Sequence, residues 1–110
     1  MSWFDRLTAA HLVVTDAVSH YARMQSDRYF VWAEEDSADL VADGKHKERV
    51  YRGTTDLFTK QEQDPWAAQF EFALDTYGIA WQLNSVQYED DTGFIHYEWL
   101  WEVVDGKDDH

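Results

Sequence analysis

The chain has 110 residues, a formal net charge of −13 at neutral pH, 16% aromatic residues and no cysteine. Its length fits a single α+β domain, 1–110, with a thin core. The charge argues against wrapping nucleic-acid phosphates or settling on an anionic membrane, and the lack of cysteine removes disulfides, thiolate zinc sites and thiol nucleophiles.

The opening MSWFDRL has no basic n-region and an early Asp5, so a signal peptide is not expected. No apolar run approaches bilayer length. Ser2 is placed to cap a first helix, with Asp5 in its first turn and a stripe of Trp3, Leu7, Ala10 and Val14 at helical spacing, ending near Thr15. VSHYAR, Val18–Arg23, reads as a weak strand or a continuation of that helix. RYFVWAE, Arg28–Glu34, is a stronger strand, rich in aromatic and β-branched residues. DSADLVADGKHKE, Asp36–Glu48, is charged and carries an Asp-Gly turn signal. It is expected to form an exposed loop over 36–47 or a loose hairpin, of a length that often serves contact with something else.

RVYRGTTDLFT, Arg49–Thr59, is a long strand in which Gly53 marks a bulge or a close backbone approach. DPWAAQFEFALDTYG is the clearest helix: Asp64 caps it, Pro65 takes its first position, and Gly78 ends it in the left-handed conformation. Its apolar face carries Trp66, Phe70, Ala73 and Tyr77, with Leu74 beside them. Ile79–Glu89 and Phe94–Val104 form a hairpin. A three-residue loop, Asp91-Thr92-Gly93, would pair odd positions with odd ones. Trp81 and Leu83 would then share a buried face with Ile95, Tyr97, Trp99, Trp101 and Val103, packed against Trp66 and Phe70. Tyr88, Phe94, His96 and Leu100 would form a mixed patch on the outer side. Residues 105–110 read as a flexible tail. The resulting fold class is α+β: two helices on one face of a mostly antiparallel sheet of about four to five strands, ending in a long C-terminal β-hairpin.

No chemistry-bearing motif stands out. The five histidines lack zinc-ligand spacing, and phosphate-loop, dinucleotide-binding and hydrolase signatures are absent. Asp36, Asp39 and Asp43 do not match a calcium loop. His20 and His96 could meet across the sheet, and Glu98 shares a face with His96, an arrangement more often a cross-strand contact than a catalytic pair. No cofactor, metal or catalytic residue is expected. The expected protein interface takes Asp39, Leu40, Val41, Lys45 and Lys47 from the 36–47 segment, and Tyr88, Phe94 and His96 from the hairpin.

RGTTDLFTK and IAWQLNSVQYEDDTGFIHYEWLWEV resemble segments of small proteins from the structural gene clusters of tailed bacteriophages and prophages. The group is that of tail-terminator or tail-completion proteins of the head-tail neck, and the resemblance runs from Arg28 to Val104. It implies a non-enzymatic virion protein that forms a homo-oligomeric ring, commonly a hexamer, on the tail-tube protein and meets a head-tail connector protein. It also implies assembly in the host bacterial cytoplasm and genomic DNA passing through the ring without specific binding. Two alternatives stand beside it: a small acidic DNA-mimic inhibitor of a nucleic-acid-binding protein, suggested by the charge, and a small enzyme built on His96 and Glu98.

Overall fold

Ser2 opens the first helix as expected. Its side chain accepts a hydrogen bond from the Asp5 amide at 3.1 Å, and α1 runs Trp3–Val14. The structure, a computed structural model, describes residues 1–42 and 46–106, with 38–42, 46–48 and 106 as backbone only. The elements that follow are β1 (Val18–His20), β2 (Arg28–Ala42), β3 (His46–Thr59), α2 (Pro65–Thr76), β4 (Ala80–Tyr88) and β5 (Ile95–Gly106). The strands form one sheet in the order β1-β2-β3-β5-β4, with β1 parallel to β2 and the other neighbours antiparallel.

Both helices bury their apolar stripes on one face of this sheet. Leu7 and Ala10 of α1 and Phe70, Ala73 and Leu74 of α2 join Phe30, Trp32, Leu57, Trp99, Trp101 and Val103 in one buried cluster. Phe70 meets Trp99 edge-on, with ring centroids 5.0 Å apart. Trp66 stacks instead on Phe30 at 5.9 Å and carries the Arg28 guanidinium on its ring. Indole N–H groups need partners when buried. Two come from acidic residues on α2: Glu71 accepts from Trp99 at 2.9 Å, and Asp75 from Trp81 at 2.8 Å.

The helix ends follow local chemistry. Asp64 accepts from the Trp66 amide at 2.9 Å, and Pro65 stands where no amide is needed. Gly78, at φ 71°, turns the chain so that the Ile79 amide reaches the Leu74 carbonyl at 2.9 Å. Arg6 then ties both ends of the chain to this turn. Its guanidinium donates to the carbonyls of Tyr77, Gly78 and Val104, while the Trp3 amide donates to Asp105 at 3.2 Å.

Three expectations need adjustment. Of the two readings for Asp36–Glu48, the hairpin is the one observed: β2 and β3 stay in register from Asp36↔Arg52 to Ala42↔His46. Charged residues obscured it, because strand pairing uses backbone groups and needs no apolar alternation. The Asp43-Gly44 turn and Lys45 lie outside the described residues. Asp105 and Gly106 belong to β5, opposite Arg49 and Glu48, rather than to a tail; residues 107–110 lie outside the described residues.

The third adjustment concerns the C-terminal hairpin. The Glu89 amide bonds the Phe94 carbonyl at 2.8 Å, so the loop is Asp90–Gly93, one residue longer than expected, with Gly93 at φ 79° as anticipated. The longer loop would flip the side-chain faces. A bulge at Asn84 restores them: Tyr88 opposes Ile95 and Val86 opposes Tyr97 near the turn, while Leu83 opposes Trp99 and Trp81 opposes Trp101 beyond it. Gly53 is the close approach. A Cβ there would sit 2.2 Å from the Ala33 carbonyl oxygen and 2.6 Å from the Trp101 ring.

Candidate interaction surface

The outer face of the sheet, away from the helices, is only partly open. At one end Tyr29, Val31 and Phe58 form a second buried cluster, covered by Ala17, Met24 and Phe94. Arg23, from the segment between β1 and β2, lies over the Phe58 ring at 4.1 Å. His96 stacks on the same ring at 4.3 Å. Its Nε2 lies 3.0 Å from Asp56 and its Nδ1 3.4 Å from Glu89, which also pairs with Arg23 at 3.8 Å. The hydrogen bond to Asp56 raises the His96 pKa, against a smaller opposing effect of burial. This set of bonds anchors the β4–β5 turn and the β1–β2 segment to the sheet.

At the other end of that face a cavity of about 390 Å³ opens among Glu35, Asp36, Arg52, Gln82, Leu100 and Glu102. Arg52 bridges two of its acids, Glu102 at 2.8 Å and Asp36 at 3.5 Å. The arrangement leaves an excess of carboxylate around a half-apolar floor, with Leu100 exposed.

The residues expected at an interface therefore separate. Phe94 and His96 belong to the half-buried outer cluster. Tyr88 opposes Ile95 and so has the helix-side orientation, though it is 65% exposed at the end of its strand. Leu100 sits at the far end of the outer face, so these four do not form one patch. Asp39, Leu40, Val41 and Lys47 lie in the β2–β3 hairpin, which extends the molecule to 52 × 22 × 21 Å. Lys45 lies outside the described residues.

His20 and His96 do not meet. His20 is on the helix side, edge-on to Phe4 and stacked between Tyr21 and Trp32 with ring centroids 4.0 Å from each. Its Nε2 bonds Glu34 at 2.7 Å. Glu98 accepts from Asn84 at 2.7 Å rather than pairing with His96. Among the described residues no group of three or more His, Asp or Glu is arranged to hold a metal ion, and no helix is long and apolar enough to cross a membrane.

Two buried polar centres have partners that the sequence did not show. His11, fully buried on α1, has its Nδ1 2.7 Å from the Leu7 carbonyl and its Nε2 3.0 Å from the Thr55 hydroxyl. A carbonyl only accepts, so Nδ1 carries the proton and Nε2 accepts from Thr55; the Thr55 oxygen accepts from the Trp101 indole at 3.0 Å. Burial lowers the His11 pKa to about 4, so the ring is neutral. The second centre is Asp64. It accepts from the Arg28 Nε at 2.8 Å and from Arg28 Nη2, Thr59 and the Trp66 amide. Burial pushes its carboxyl up, but these bonds outweigh burial and hold it below the ordinary carboxylate range. Both centres lock helices to the sheet.

No known protein-family profile matches this sequence, and no curated protein matches it. Its fold is similar to that of a chain in the virion of a native gene transfer agent (GTA) particle. The two share 12% identity, with a TM-score of 0.57 over 96% of this chain and 92% of the other. At that identity the likeness establishes a shared fold.

Proposed function

We propose that this chain is a structural virion subunit of a tailed phage or phage-like particle, acting as a tail terminator or tail-completion protein at the head-tail neck. The observation that carries this reading is the fold likeness to a GTA virion chain, which runs almost the full length of both chains. The sequence resemblance of the β3 and β4–β5 segments to neck proteins points the same way. So does the use of side chains. His11, His20 and His96 are engaged in packing and hydrogen bonds within the fold.

In this reading the chain forms a ring, commonly hexameric, that caps the tail tube and meets the connector protein on the head. The β2–β3 hairpin reaches a neighbouring subunit or the tube. Carboxylates line the channel and repel the passing DNA, while Lys45, Lys47 and Arg49 stand away from it, because lysine and arginine there would bind phosphate. Arg52 partly neutralises Asp36 and Glu102 on the sheet's outer face, which breaks up the carboxylate row a DNA mimic would need.

The test is light scattering and electron microscopy of the purified protein, alone and with tail-tube protein. Rings alone, or caps on tube ends, are expected. A protein that stays monomeric at high concentration and leaves tubes uncapped overturns the reading, as does tight, salt-sensitive binding to duplex DNA.

A further inference from the structure

The two edges of the sheet differ in chemistry. β4 forms one edge, since among the described residues it is bonded to β5 alone. It has nine residues, AWQLNSVQY, none charged, in a chain that is 28% charged. Soluble proteins usually guard such an edge with lysine, proline, a bulge or shortness. β4 has only the bulge at Asn84, and it exposes Leu83 at 39%, Val86 at 50% and Tyr88 at 65%.

The opposite edge is made by β2. The short β1 covers Phe30–Trp32 and, among the described residues, no strand lies on that side of Ala33–Ala42. This open stretch is one residue longer than β4 and reads AEEDSADLVA, with four acidic residues and no basic one. Two such edges cannot lie side by side, because like charges directly opposed across a strand pair are destabilising. A strand with no charge can lie beside it, and the Gln82, Asn84, Ser85 and Gln87 side chains of β4 offer hydrogen-bonding groups to its carboxylates.

We propose that copies of this chain join head to tail by strand addition, the β4 edge of one copy pairing with the Ala33–Ala42 edge of β2 in the next. Such contacts are heterologous and close into a ring when the rotation per copy allows. The ring belongs to the function proposed above, and this inference rests on that reading; the edge-to-edge contact is the new element. The pairing removes both open edges at once. It also places the charge-free segment of each copy against the most acidic edge of its neighbour, where two surfaces of a strongly acidic protein can approach.

The absence of cysteine makes the test clean. Gln82→Cys, Asn84→Cys and Gln87→Cys are each combined with Ser37→Cys in one chain and oxidised under assembly conditions, on tail tubes where those are needed. At least one double variant is expected to give a ladder of covalent oligomers ending at the ring size, while each single variant stays uncrosslinked. Rings that form without any ladder overturn the edge contact and leave the neck reading standing. Covalent dimers from single β4 variants also overturn it, since they mean β4 pairs with itself. Failure to form rings at all, alone or on tubes, removes both proposals. As a second measurement, Gln82→Glu with Gln87→Glu is expected to weaken association roughly tenfold, and Gln82→Lys with Gln87→Lys to maintain or tighten it. Equal behaviour of the two pairs counts against the contact.

Discussion

Nε2 of His11 and Oγ1 of Thr55 meet at 3.0 Å in the middle of the core, joining α1 to β3 through one proton. The same oxygen accepts from Trp101, so one hydroxyl satisfies two buried groups from different elements. Thr55→Val keeps the shape but leaves both groups unpaired. A loss of about 2–4 kcal/mol is expected in chemical denaturation, since each unsatisfied buried group costs about 1–3 kcal/mol.

His11 also sets an acid limit. Its folded pKa lies at about 4, below its ordinary 6.5. The unfolded chain therefore takes up a proton first, and stability falls as the pH drops from about 6.5 towards about 4, by up to about 3 kcal/mol. Denaturation midpoints recorded across that window should show the decline. A slope unchanged in a His11→Gln variant would refute the assignment.

His96 has the opposite sign. Its hydrogen bond to Asp56 raises its folded pKa, so its contribution is complete below its ordinary value of 6.5 and is lost as pH rises through the folded value. His96→Asn is expected to be less stable than the parent in mild acid and to approach it in mild alkali. Thermal melts of both proteins over that range check the sign.

Gly53 has no room for a side chain. A methyl group would collide with the Ala33 carbonyl and with the Trp101 ring, one a backbone atom and the other packed in the core. Gly53→Ala should cost about 3 kcal/mol or more, or prevent folding, whereas Gly93→Ala, with open space around it, should cost only its left-handed backbone conformation. Expression level and melting temperature distinguish the two.

Trp101 fills the space above Gly53 and holds Thr55, so Trp101→Ala removes both packing and a hydrogen bond. A destabilisation of about 3–5 kcal/mol is expected. A melting temperature equal to that of the parent would contradict the packing described.

Asp64→Ala should cost about 3 kcal/mol, because it strips the α2 cap and leaves Arg28 and Thr59 without their shared acceptor. Asp64→Asn, which retains the cap, should recover part of that loss in the same measurement.

Most of this architecture was readable in the chain because its signals are local. Asp64-Pro65 and Gly78 bound α2 within a residue or two, and alternation at Trp99, Trp101 and Val103 identified the buried face of β5. What stayed hidden depends on distant partners. Nothing near His11 marks it as buried, since the hydroxyl that completes it is 44 residues away. The Asn84 bulge leaves no trace in a polar, uncharged strand, so the side of Tyr88 was misassigned. The β2–β3 hairpin is pinned by backbone pairing with little apolar patterning, and its residues look like a loop. Of the expected interface residues, the described ones of the 36–47 segment lie in the β2–β3 hairpin, while the C-terminal hairpin patch of Tyr88, Phe94 and His96 is divided between the two faces of the sheet.

The clamp made by Trp3 and Arg6 bears on how the protein is made. The amide of Trp3 bonds a side chain 102 residues downstream, and Arg6 grips the Val104 carbonyl, 98 residues away. A ribosome adding about 5–20 residues per second needs roughly 5–20 s to deliver those partners. For that interval α1 can meet Phe30, Trp32, Leu57 and Phe70 of its core cluster, but its first turn lacks the partners that β5 supplies. The anchoring of the first helix's opening turn is thus completed only when the last strand arrives.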